Sequence, residues 1–378
     1  MTQAVQPRET MGRLPRLVQP YLTWVTGVPL DGTYQLIRWS PNKAGVLGII
    51  QIIGGIALGA WAMHPLAAVS IPTLILATLL TTGGMRRLDV VVVHQTLHRM
   101  FAKSDRVNRV VGELITTVMW RTPYDENRRE HLLHHQFPCS MKDADTRYLL
   151  STGMRPGMSR REYRRYIWSA LLSPSHHWTF FSGRITSNFV QAKPRYRLVM
   201  SLAFLAMTIG FLVLTGYWVE YLVLWLLPLS VCFQGATFLY THTEHRWWIF
   251  SNAEKLTKRE RDLLTFGRVC GEPVPGPEIE GAGDRARAWL VWWFRMLVVH
   301  SSYRMFVLVG DTVQHDLHHI HPNCDWANSA YVRSEDIATG SDRYSEVWGS
   351  MVDHLHEAGM VGPSRDQVLV PEYAGEGR

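Results

Sequence analysis

Four histidines fall within seven residues at His315, His318, His319 and His321. The same chain carries His94 and His98 in "HQTLH", His131, His134 and His135 in "HLLHH", and His242 and His245 in "HTEH". Side chains three and four residues apart share a helix face, so each cluster can aim two or three imidazoles at one point. Taken singly, each spacing is common on ordinary helices. Together, with HxxHH occurring twice, the four clusters point to a shared site. His64, His176, His177, His300, His354 and His356 stand outside the pattern and read as structural or surface residues. His321 is adjacent to the last box.

Neutral imidazole suits zinc, copper, iron and nickel. One zinc takes only three or four ligands. Eight to ten imidazoles therefore imply two ions. The four cysteines, Cys139, Cys232, Cys270 and Cys324, contain no CxxC pair, so neither a thiolate zinc site nor a disulfide framework is expected. The carboxylate pairs of soluble di-iron bundles are also not evident. An all-imidazole pair of sites points to redox iron that activates O2.

The elements that must position these histidines are apolar. The chain has 378 residues, 47% hydrophobic and 19% charged, with 15 Trp. One long apolar region starts near Ala44 and reads as a helical hairpin over 45–63 and 66–84, turning at His64-Pro65. A second, from Leu198 to Tyr240, splits at Tyr217-Trp218 into two pieces of about 20 residues, the length of a bilayer-crossing helix. Residues 86–197 hold 20 basic and 9 acidic residues, and the N-terminal segment is basic too. The positive-inside rule then places the N-terminus, this middle segment and everything after 241 in the cytoplasm, with all four clusters on one side. No signal peptide is expected. Residues 285–310 are apolar but interrupted by Arg295, His300 and Arg304, and read as an interfacial helix or one packed on the cap, with a fifth span as the alternative. The net charge of +7 forms no basic arm beside stacking aromatics, so nucleic acid is not an expected partner.

The fold class expected is all-α: a polytopic membrane protein with two transmembrane hairpins, about four spans, under a cytoplasmic helical cap. The expected divisions are an N-terminal segment 1–43, a membrane domain 44–340, and a cytoplasmic tail 341–378 that is ordered only in part from Gly362.

The order HxxxH, HxxHH, HxxHH, with two boxes between two membrane hairpins, resembles the membrane fatty acid desaturase superfamily, a di-iron group. The resemblance covers roughly residues 45–335. It implies that His94, His98, His131, His134, His135, His315, His318 and His319 are iron ligands. It implies a further ligand after the fourth span, with His242 and His245 both candidates. It implies two non-haem irons, O2 as co-substrate, and a lipid or acyl-chain substrate. No catalytic side chain beyond the ligands is implied. Asp143, Asp145, Asp311, Asp316 and Asp325 lie near the boxes, where carboxylates can accept the free ring N–H of a ligand. The chain has no haem box, four-cysteine pattern or dinucleotide fingerprint. Electrons must then come from a separate protein of ferredoxin, rubredoxin or cytochrome b5 type. Desaturation is the leading expectation. Hydroxylation of an alkyl or terpenoid substrate by a di-iron monooxygenase is the alternative, and a non-catalytic metal-binding membrane protein is a second one.

Overall fold

The computed structural model describes residues 6–64, 70–155, 157–247 and 256–360. The protein is mostly helical. Among the described residues, three helices are long and apolar enough to cross a bilayer: Pro41–Met63, Arg195–Thr215 and Trp218–Glu244. Local sequence sets their ends. Pro41 begins the first helix behind Ser40, whose side chain accepts from the Lys43 N–H. Gly216 ends the second in the left-handed conformation, φ 75°.

The fourth expected span forms helix Ser70–Arg87, but it is not among these three. Thr, Gly and two Arg fill its second half and dilute its apolar character. Of the four expected spans, three are thus long and apolar enough to cross a bilayer, and Ser70–Arg87 is a shorter, more polar partner of the first. The expected turn at Pro65 lies outside the described residues. Helices Pro41–Met63 and Ser70–Arg87 pack antiparallel through glycine. A Cβ added to Gly55 would lie 2.7 Å from the Thr81 nitrogen, and one added to Gly84 would lie 2.5 Å from the Gly48 carbonyl oxygen. Only glycine lets the backbones approach this closely. The antiparallel run returns the chain to the Pro41 end, where the first histidine box begins.

Large apolar side chains on the outer faces remain exposed, among them Ile49, Ile53, Ile75, Val199 and Leu214. Such a surface fits lipid rather than water. The Ala282–Phe294 helix continues through a π-helical stretch, Arg295–His300, into Ser301–Phe306. Its outer face exposes Leu290, Phe294 and Leu297, while Trp292 and Met296 pack on Met11, Leu22 and Val25.

The all-α expectation needs one correction. Strands β1 (Gly267–Cys270) and β2 (Glu346–Gly349) form a two-stranded parallel sheet. The segment assigned to the tail supplies β2 and the helix Met351–Met360, whose Leu355 and Ala358 join the main hydrophobic core with Phe238, Phe266 and Leu308. Residues 361–378, including the segment from Gly362, lie outside the described residues.

Buried polar contacts tie the histidine-bearing helices to the membrane helices. Glu113 does this from both carboxylate oxygens. Oε2 accepts the Tyr124 N–H at 2.9 Å, at the start of helix Tyr124–Gln136. Oε1 accepts from Arg197 at 3.0 Å, in the first turn of helix Arg195–Thr215. Tyr124 Oη donates to the Thr96 carbonyl at 2.7 Å, and Arg128 Nε donates to the Leu97 carbonyl at 2.9 Å. The first and second boxes are thereby held against each other.

Candidate metal centre

Nine imidazoles converge in two adjacent groups. His94, His98, His131, His135 and His318 form one. His134, His245, His315 and His319 form the other. Within each group, one ring nitrogen per residue lies within 4.8 Å of all the others. His131 Nε2 stands 2.9 Å from His94 Nε2, 2.6 Å from His98 Nε2 and 3.1 Å from His135 Nε2. In the second group His245 Nε2 is 3.0 Å from His134 Nε2 and 3.4 Å from His315 Nε2. The groups touch: the His135 ring of the first lies 4.3 Å from the His319 ring of the second.

This spacing fits metal coordination. Two nitrogens about 2.1 Å from one ion, at angles near 90–109°, are about 3.0–3.4 Å apart. Buried polar atoms normally find a partner. Yet neither nitrogen of His318 has a hydrogen-bond partner, nor does His319 Nε2. Two ions also account for the count, since nine imidazoles exceed the demand of one.

Eight of the nine rings are held in the protonation state that ligates metal. Burial, reinforced by neighbouring imidazoles, holds His94, His131, His135, His245, His315, His318 and His319 well below the usual histidine range. Burial and Arg128 bring His98 to about 4. All are therefore neutral at physiological pH, the form that binds metal. His134 is the exception. Burial opposes its charge, but the Asp143 and Asp145 carboxylates raise it to about 10. His134 Nδ1 donates to Asp143 Oδ1 at 3.1 Å. That contact fixes the tautomer and turns Nε2 toward the second group.

The other carboxylates do not take that part. Asp316 pairs with the buried Arg333, at 2.8 Å between Oδ2 and Nη2. Asp325 accepts from Asn328 Nδ2 at 2.8 Å. Asp145 Oδ2 lies 3.5 Å from His134 Nδ1, beyond the better-placed Asp143. His321 stands outside both groups, 3.3 Å from Asp336.

Of the two candidates after the last long apolar helix, His245 joins the site and His242 does not. The helix stops at Glu244, and His245 is extended, φ −130° and ψ 160°. It bridges to Thr265 and turns toward His134. His242 remains on the helix with both nitrogens used. Nδ1 donates to the Phe238 carbonyl at 2.7 Å, and Nε2 accepts from Tyr166 Oη at 2.9 Å. Sequence reasoning missed Trp326, whose ring walls the first group 4.0 Å from His318, 4.7 Å from His98 and 4.9 Å from His94. It also missed Arg268, fully buried behind the last box and hydrogen-bonded to Thr243 Oγ1 and the Thr312 carbonyl. Nothing in the sequence but its place at the end of "HPNCDW" marked the first, and nothing marked the second.

The sequence matches the family model for fatty acid desaturase over residues 68–329, well over half the chain. The chain belongs to the fatty acid desaturase family. The matched span begins near helix Ser70–Arg87 and includes all nine converging histidines, so the desaturase family match and the two imidazole groups cover the same region. No curated protein matches this desaturase family member.

Proposed function

We propose that this desaturase-family chain is an O2-dependent, membrane-bound di-iron oxidoreductase that desaturates an apolar acyl chain. The convergence of nine imidazoles into two touching groups carries this reading. His94, His98, His131, His135 and His318 hold one iron; His134, His245, His315 and His319 hold the other. Iron at both positions supplies the O2 chemistry that breaks an unactivated C–H bond. The protein holds the nine rings in place: Asp143 orients His134, and Trp326 closes the side of the first group.

The topology we propose keeps the two-hairpin arrangement, with the histidine boxes on the cytoplasmic side, where the basic segment 86–197 lies. Exposed apolar helix faces seat the protein in the bilayer, where an acyl substrate is found. Electrons arrive from a separate acidic carrier protein. The exposed Arg129, Arg160, Arg161, Arg164 and Arg165 offer it a basic face.

The test is mass spectrometry of lipids from cells with and without the gene. A lipid that loses two hydrogens with expression supports desaturation. A gain of one oxygen moves the reading to hydroxylation. No lipid difference under aerobic growth with iron argues against both.

A further inference from the structure

Asp311 has no part in the site described so far, yet its surroundings are unusual. It is half-buried, but its Oδ1 is shut off from solvent and has no hydrogen-bond partner. Such a carboxylate oxygen is rare in a native protein. Asp311 also lines two voids at once. One is a cleft of about 870 Å³ between the N-terminal segment and residues 304–331, with the exposed Tyr34 and Leu36 on its walls. The other is a void of about 10 Å³ bounded by His94, His315 and His318. Among the described residues, Gln314 and Ser329 are the only others on both walls. Their side chains are tied together at 2.9 Å, and Gln314 Nε2 also donates to the Gly27 carbonyl at 2.5 Å.

Size and polarity decide what can pass. A void needs roughly 10–15 Å³ to hold one water. The inner void matches one water and is too small for an acyl chain. The wall shared by the two voids is polar and its Gln314 and Ser329 are fixed by hydrogen bonds, so it suits passage of a proton better than of a methylene.

We propose that Asp311 carries protons from the solvent-facing cleft to the metal centre, through one water in the inner void. This rests on the di-iron reading. O2, two electrons from the carrier protein, two protons and a CH2–CH2 unit give an alkene and two waters. Hydroxylation needs the same two protons and two electrons and gives an alcohol and one water. Either outcome requires a proton path. Asp311 takes a proton from cleft water, passes it inward, and is re-protonated from the cleft.

The titratable groups around Asp311 are Arg87 at the end of helix Ser70–Arg87, Arg304 from helix Ser301–Phe306, and the neutral thiol of Cys324 after the last box. Burial pushes the carboxyl up to about 7, with its own backbone N–H, Arg87 and Arg304 opposing. A group of that acidity exchanges protons readily at neutral pH. No hydrogen bond joins Asp311 to an imidazole among the described residues.

The test uses full-length protein, loaded with iron, reduced with dithionite and mixed with O2 in buffered H2O and D2O. Asp311→Asn should bind wild-type iron but reoxidise about a hundredfold more slowly. Asp311→Ala should be equally slow and be rescued by added formate, which a structural role would not allow. Infrared pH-difference spectra of iron-free protein give a second readout: a protonated-carboxyl band that titrates near neutral pH and is missing in Asp311→Asn. Wild-type reoxidation rate and isotope effect in an iron-replete Asp311→Asn overturn the proposal. So does the absence of that band in the wild type, or failure of formate to rescue. A wild-type protein that binds no iron, or whose reduced iron ignores O2, overturns the di-iron reading first.

Discussion

Asp143→Asn tests the orientation of His134 with a near-isosteric change. Asp143 is fully buried and accepts four hydrogen bonds. Oδ1 takes His134 Nδ1 at 3.1 Å and the Asp145 N–H at 3.0 Å. Oδ2 takes Thr146 Oγ1 at 2.8 Å and the Cys139 N–H at 3.3 Å. An asparagine oxygen can keep the second pair. Its NH2 then faces two former donors. The Asp145 N–H loses its acceptor, at a cost of about 1–3 kcal/mol. His134 relieves the other clash by moving its proton to Nε2, the nitrogen that faces His245. That tautomer cannot ligate metal through Nε2. Loss of such an orienting carboxylate costs about 10–100-fold in metal affinity, or about 1.4–2.7 kcal/mol. Iron content by elemental analysis, with competing chelator, measures the affinity; thermal unfolding measures the stability. Asp143→Asn with wild-type iron affinity would refute the account of how His134 is oriented.

Four further outcomes follow from particular contacts. His242→Ala should retain iron and lose stability, because its ring fills a core site against Phe238; His245→Ala should lose iron from the second group only, and equal iron content in the two variants would contradict the placement of these residues. Glu113→Ala leaves Arg197 buried without its anion and the Tyr124 N–H without its acceptor; a loss of about 3–5 kcal/mol is expected by thermal unfolding, and a loss below 1 kcal/mol speaks against this anchor. Gly84→Leu should separate the first two membrane helices, since a Cβ alone would meet the Gly48 carbonyl oxygen; unchanged folding yield in detergent is the contrary result. Cysteines engineered at the N-terminus and near Arg160 should resist labelling from outside intact cells, whereas labelling at either site overturns the proposed topology.

The sequence was most legible where a residue's type fixed its role. Apolar runs marked Pro41–Met63, Arg195–Thr215 and most of Trp218–Glu244, because only long apolar segments satisfy the bilayer. The imidazole spacing marked the metal centre, because few structural demands cluster so many histidines. It was less legible where tertiary contacts decide. His242 and His245 share a helix face only if the helix continues, and it ends at Glu244. The signal for that end is the pairing of His245 with Thr265, twenty residues on, which no local pattern reveals. Strands of four residues, "GRVC" and "EVWG", are too short for a period-two pattern and pair across nearly eighty residues. Asp316 looks like a partner for its neighbouring box until Arg333 arrives from the next helix to claim it.

The most direct measurement of the central claim is the metal content of purified protein and of two single variants. The account predicts two irons per wild-type chain. It predicts that His131→Ala, in the first group, and His315→Ala, in the second, each lower the content while the protein remains folded in detergent. One zinc per chain, no metal after growth and purification with iron, or full iron in both variants would contradict it.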